Sequence, residues 1–395
     1  MLVALGCGAS QDAAGSSPDL VRRDSAGVTI VEHPLSALES VSRWTVSATP
    51  SVAVGSDYGS SEAYEFYQIQ AVDRLSTGEV VVLDGASQEI RVYDERGEHL
   101  RSFGGRGEGP GEFMAASWLL VTSADSLAVY DRNLRRLTLF DAAGRFGRTV
   151  ALGQPGPGFR RTYGLLGDGS VLVSARVPDA NLLPVGLQRD SVMLRRIAMT
   201  GEQLSPIGTF PGPQNFWFTS TEELGAGEAL AFGTTLEVAV GDSPVYVGRS
   251  DRYEIHGYDE SGKLRQLIRM EAVAQPVTPG MMQAYMRRNL ALYPDSATRE
   301  RFRRVEEAMP LPAVTPKISR LRVDREHNLW VRTCLVHPDS TPDWHVFART
   351  GSLLATVRLP AELDERVLED GRITGLTRDA ADVERVVVYN VMRTN

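Results

Sequence analysis

Residues 91–105 read Arg91-Val-Tyr-Asp-Glu-Arg-Gly97-Glu-His-Leu-Arg-Ser-Phe-Gly-Gly105. Apolar and polar residues alternate, the chain turns around Asp94 and Gly97, and the alternation resumes. That pattern describes two half-buried strands joined by a tight turn. The same hairpin recurs at 138–144, 197–201, 257–262 and 346–351, with Gly144, Gly201, Gly262 and Gly351 at the turn. Glycine suits these positions because such turns need a backbone conformation that a Cβ disfavours.

A second hairpin precedes each of these. It spans 69–84, and its counterparts lie at 119–131, 163–176, 236–249 and 318–332. Two successive hairpins make four antiparallel strands, which is one blade of a β-propeller. Five blades are complete in this way. The C-terminus adds strand at 372–378 and 383–392 without a full fourth strand, and 27–32 and 44–55 are strand-like but unassigned. A circular fold lets an N-terminal strand complete the last blade, which removes two exposed sheet edges. The expectation is an all-β, six-bladed β-propeller over 25–395, closed by N- plus C-terminal strands, after a leader and flexible tether over 1–24.

The longest gap between turn glycines, Gly262 to Gly351, holds a helical insertion at about 277–312. Met282, Tyr285, Met286 and Leu290 share one face at helical spacing, and Asp295-Ser296 suits a helix N-cap. Glu300 with Arg304 and Arg303 with Glu307 are spaced to pair along the second helix. Such an insertion is placed to act as a lid over the channel mouth.

With 42% hydrophobic residues, the 395-residue chain has enough apolar surface for a large core. The net charge of −8 lacks the basic footprint of a nucleic-acid binder. No apolar run is long enough for a membrane-spanning helix. Cys7 and Cys334 lie too far apart in sequence to suggest a metal-type pair, and Cys334 reads as a small buried residue. His33, His99, His256, His327, His337 and His345 show no ligand spacing, so the sequence carries no metal or cofactor signature.

Three passages carry a family resemblance: Asp24-Ser-Ala-Gly-Val-Thr-Ile-Val-Glu32 followed by Trp44, Phe103-Gly-Gly-Arg-Gly-Glu-Gly-Pro-Gly-Glu-Phe113, and the ending Thr377-Arg-Asp-Ala-Ala-Asp-Val-Glu-Arg-Val-Val-Val-Tyr389. They resemble bacterial six-bladed propeller proteins of the NHL-like group, many of them lipoproteins. That resemblance implies a fold and no general activity. The opening Met1-Leu-Val-Ala-Leu-Gly-Cys7 resembles the end of a lipoprotein signal peptide, which implies lipidation at Cys7 and an extracytoplasmic address at the bacterial envelope. The membrane is then reached only through that anchor, and the propeller is expected to be a monomer.

Gly105-Arg-Gly-Glu-Gly-Pro-Gly111 is not a phosphate loop. Such a loop must open a helix, and this one lies between strands, so it reads as an inter-blade connector. The second strand of each blade ends on a polar residue: Asp84, Asp131, Arg176, Arg249 and Arg332. Equivalent positions form a ring on one propeller face, giving an acidic and a basic arc. Converging guanidinium groups suit a carboxylate, sulfate or phosphate, and inter-blade salt bridging, such as Arg176 with Asp131, is the competing reading. Two aromatic groups, Tyr58/Tyr64/Phe66/Tyr67 and Phe216/Trp217/Phe218, precede innermost strands and are expected near the axis. Candidate ligand-binding residues are therefore Arg176, Arg249, Arg332, Tyr67 and Trp217. The preferred function is a binding module for a small molecule, peptide or glycan. The alternatives are a metal-dependent lactonase- or lyase-like propeller enzyme and a structural assembly partner.

Overall fold

The computed structural model describes residues 20–393 apart from 57–60, 123, 153–158, 178–184, 219–225, 292, 294, 335–340, 370 and 380. Six blades stand around a common axis. Blade one runs from Ile69–Arg74 through Val80–Asp84 and Glu89–Tyr93 to His99–Gly104, in sequence order from axis to rim. Blades two, three, four and five begin on Ala116–Val121, Phe159–Leu165, Leu236–Val240 and Ile318–Val323. Blade six contributes Asp364–Glu369, Arg372–Arg378 and Glu384–Met392, and its fourth strand is the N-terminal Val52–Val54, paired antiparallel through Val386↔Val54. The expected closure from both chain ends is therefore present.

Burial follows radial position. The second strand of blade one, Val-Val-Val-Leu-Asp, is buried on both faces, whereas its fourth strand alternates between half-buried and exposed. A strand sandwiched between neighbouring blades reads as continuously apolar, and one at the rim as alternating. The core divides into six clusters, one for each interface between adjacent blades. The cluster between blades six and one joins Val54, Val386 and Val388 to Phe66, Val82 and Tyr93, so apolar packing seals the ring where the chain ends meet. The five turn glycines all have φ between +78° and +90°. At Gly201 a Cβ would also stand 2.4 Å from the carbonyl oxygen of Ala151.

The N-terminal segment does more than close the ring. Val28–His33 adds in parallel to the outer strand of blade four and carries Val21–Ser25 as a hairpin partner. Ser42–Val46 then adds in parallel to the outer strand of blade five and touches the end of blade six. The chain thus straps three consecutive blades, covering edges that would otherwise present unpaired amides. The expected flexible tether over 8–24 is shortened by this hairpin, which already includes Val21.

Antiparallel order sends every blade-to-blade connector and every turn between second and third strands to one face, here the upper face. Two additions rise there. In blade three, Gly186–Ile197 and Gly208–Phe218 outrun the second strand, which pairs only from Ser191 onward. Residues 186–190 therefore project by about 16 Å at the usual strand rise. The insertion forms helices Pro279–Leu290 and Ser296–Ala308, capped by the side chains of Thr278 and Asp295. Met281 is the deepest residue of the first helix, one position before the Met282 expected from spacing, and Tyr285 stacks on Phe232 and Phe302. On the second helix Arg303 turns back to Glu300 at 2.7 Å.

Candidate functional site

The polar ends of the second strands have two different roles. Asp84 and Asp131 are fully buried. Asp84 accepts the turn amides of Ala86 and Ser87 and the amide of Tyr67 in the incoming connector. Asp131 does the same with Asn133, Leu134, Met114 and Ala115. Each carboxylate latches a turn to the chain entering its blade, so the expected acidic arc is not an open surface. Arg176 forks onto Asp190 of its own blade at 2.9 and 3.0 Å, not onto Asp131, and lies over Trp217 at 5.4 Å. Arg249 pairs with Asp251 at 3.1 Å, and Arg332 donates Nε–H to the Ser319 hydroxyl at 3.0 Å.

The five expected ligand residues are not one cluster. Phe216 and Trp217 lie on the projecting fourth strand of blade three, away from the axis, with Ala226–Ala229 paired outside it. Tyr67 is half-exposed beside blade one and bonds Glu65. Cys7, Tyr58 and His337 lie outside the described residues. The 105–111 run is a connector as expected, with Arg136 holding the carbonyls of Glu108, Gly109 and Glu112.

The channel supplies the site that the ring does not. The first residues of the innermost strands mark its upper end. There stand Arg161 of blade three, Glu237 of blade four, Arg320 of blade five, and Asp364, Glu365 and Arg366 of blade six, with Arg322 two residues further along its strand and Arg332 behind them. Arg320 bonds Asp364 at 3.0 Å and Glu365 at 2.6 Å, Arg322 approaches Glu365 at 3.6 Å, and Arg366 pairs with Asp364 at 2.7 Å. Arg161 lies over Tyr163, and neither it nor Arg332 has a carboxylate partner among the described residues. Five guanidinium groups thus stand with three carboxylates at this end of the channel.

Burial sets the electrostatics. Glu237 keeps partial contact with channel water but lies deep in the ring, and burial raises its carboxyl above the usual range. The Thr235 hydroxyl and Arg320, Arg161 and Arg322 pull it back down. Burial lowers Arg322 to about 10 and also lowers Arg332, which sits beside Arg320. Both remain cations at neutral pH, in surroundings where an anion would strengthen their charged forms. Burial pushes the Cys334 thiol up to about 11, which keeps it protonated and unreactive at neutral pH.

The lower end of the channel is closed by a balanced network. Arg325, in the turn between the first two strands of blade five, bonds Asp73 at 2.8 Å and Glu369 at 3.2 Å. Arg74 approaches Glu369 at 3.4 Å, and Asp73 accepts the amide of Val121 at 2.6 Å. Burial pushes the Asp73 carboxyl upward, while Arg325 and the amides of Val121 and Arg74 pull it back. Blades one, two, five and six meet in this knot.

No three His, Cys, Asp or Glu side chains among the described residues are grouped to hold a metal ion. His33 and His345 serve the interior: His33 bonds the carbonyl of Gly351, and His345 bonds Tyr253 and is lowered to about 4 by burial. Of the channel arginines only Arg332 was among the expected ligand residues; Arg161, Arg320, Arg322 and Arg366 escaped the sequence reading, although Ile318-Ser-Arg-Leu-Arg-Val323 carries its charges at period two on an innermost strand.

Residues 60–153, which span blades one and two, match a family described as a 6-bladed beta-propeller. No curated protein matches the chain. Among solved structures it is similar to a putative exported protein from Bacteroides fragilis, at 11% identity over 93% of this chain and 100% of that one, with a TM-score of 0.49. It is also similar to a Bacteroides vulgatus member of the duf4221 family, at 9% identity over 90% and 100%, TM-score 0.45. A gluconolactonase from Xanthomonas campestris is similar at 12% identity over 84% and 88%, TM-score 0.40.

Proposed function

We propose that this propeller is a binding module of the NHL-like kind, acting outside the cytoplasm, which takes an anionic small molecule, or the anionic group of a peptide or glycan, into the upper end of its channel. The excess of guanidinium groups there supports the reading, above all Arg161 and Arg332, which lack carboxylate partners among the described residues. A planar guanidinium offers forked donors to carboxylate, sulfate or phosphate. The blade-three projection and the helical insertion rise on the same face, where they can contact the rest of the ligand. Thermal unfolding in a citrate and sulfate titration tests this. Stabilisation should weaken about tenfold in apparent affinity when Arg161→Gln and Arg332→Gln are combined. Equal stabilisation of wild type and the double variant would overturn it.

The address belongs to the same proposal: Cys7 carries a lipid that anchors the protein at the envelope. Cys7→Ser should move the protein from the membrane to the soluble fraction, and unchanged membrane association would refute the anchor.

An enzyme reading has its own observation. Glu237 combines a raised carboxyl with arginines within electrostatic reach, which is how a general acid is placed beside groups that stabilise developing negative charge. A lactonase- or lyase-like activity is tested by offering wild type and Glu237→Gln a panel of lactones and esters. Turnover by wild type that Glu237→Gln lacks is the supporting result. Turnover retained in Glu237→Gln removes this residue from the chemistry.

A further inference from the structure

Away from the axis, a cavity of about 130 Å³ opens between blades three and four. Arg189 and Arg249 line it, with Phe210, Thr235, His256 and Tyr258. Arg189 comes from the projecting part of blade three and Arg249 from the end of a second strand in blade four. The projection thus supplies one of the two cations of the cavity.

Two guanidinium groups share one carboxylate. Arg249 pairs with Asp251 at 3.1 Å, and its Nε is buried without a partner among the described residues. Arg189 gives its Nε–H to the carbonyl of Gly212 at 2.7 Å, which aims the rest of the fork and locks it to the projection. Burial lowers the Arg189 guanidinium, Asp251 raises it, and Arg249 lowers it further, so the two cations interact unfavourably. The cavity wall is apolar and aromatic: Phe210 meets Tyr258 edge to face at 5.4 Å. The Tyr258 hydroxyl is held by His256 at 3.1 Å, and His256 by Glu254 at 2.7 Å. Arg269 links Glu254 to Glu32 of the N-terminal strap, so this wall is braced from the rim.

We propose that this cavity is a second binding site, distinct from the channel, for a small organic carboxylate whose head bridges Arg189 and Arg249 and whose apolar body lies against Phe210 and Tyr258. An anion between the two forks relieves their repulsion and gives the buried Arg249 Nε–H an acceptor. The volume suits an apolar body of about six heavy atoms, since an apolar cavity of roughly 150 Å³ takes benzene, with the carboxylate head between the two forks at its open side. An oligosaccharide or peptide is too large. Neither the channel arginines nor Glu237 contribute, so the inference stands independently of the channel reading.

Isothermal titration of the full chain with benzoate, and with benzyl alcohol as the neutral counterpart, tests the proposal. Benzoate should bind wild type and the channel double variant, Arg161→Gln with Arg332→Gln, alike. Its affinity should fall about tenfold or more in Arg189→Gln. Arg189 also holds the backbone of the projection, so Arg249→Gln, which removes the second fork without breaking a backbone contact, should show the same loss. Benzyl alcohol should bind more weakly than benzoate to wild type. Benzoate binding unchanged in Arg249→Gln, lost instead in the channel variant, or absent from wild type would each overturn the proposal.

Discussion

The two ends of the channel are built from the same residue types and do opposite things. At the lower end Asp73, Arg74, Arg325 and Glu369 match two anions with two cations, and each joins strands of different blades. At the upper end five arginines meet three carboxylates. A balanced buried network holds structure in register, whereas an unbalanced one stores affinity for a missing charge. The additions to the fold follow the same division: the helices, the blade-three projection and the second cavity all belong to the upper face.

The contrast predicts effects of different size. Asp73→Ala should be the most damaging change, because it removes one of the two carboxylates of Arg325 and leaves the buried Val121 amide without its acceptor. Urea unfolding should show a loss of about 3–5 kcal/mol, as for a buried pair broken from one side. A loss below 1 kcal/mol would mean that the lower knot does not hold the blades together.

Glu237→Gln should have the opposite sign. Burial raises the folded-state pKa of Glu237, so its contribution to stability is intact below the ordinary glutamate range and is lost as the pH rises through the folded value. The variant should be more stable than wild type at pH 7, on the order of 1 kcal/mol. The difference should vanish below about pH 4. A gain that is independent of pH would remove the titration from the explanation.

Arg332→Gln should be nearly silent in stability, within about 0.5 kcal/mol, because among the described residues only the Ser319 hydroxyl accepts from its side chain. Its effect belongs to anion binding, and a large destabilisation would make the upper arginines structural like the lower ones.

The propeller was legible because blades are local. A hairpin declares itself within a few residues, as in 91–105, through alternation and a turn glycine. Closure by both chain ends was also legible, since 383–392 lacked a partner strand and the N-terminal region offered one. The latch role of Asp84 and Asp131 was not. Their positions at strand ends were read correctly, but an aspartate that binds three or four amides looks in sequence like an aspartate facing solvent. Arg176 gave the same difficulty: its partner Asp190 stands fourteen residues later on the next strand, and only the pairing register brings them together.

The sequence by itself determined the repeating unit, the number of blades, the place of the insertion and the end-to-end closure, because each depends on short-range pattern and on the need to bury strand edges. Tertiary structure decided the strap over three blades, the unequal ends of the channel and the cavity beside Arg189 and Arg249. These arise where side chains from different blades meet, at distances set by ring curvature and by the extra length of blade three. No single repeat contains that information.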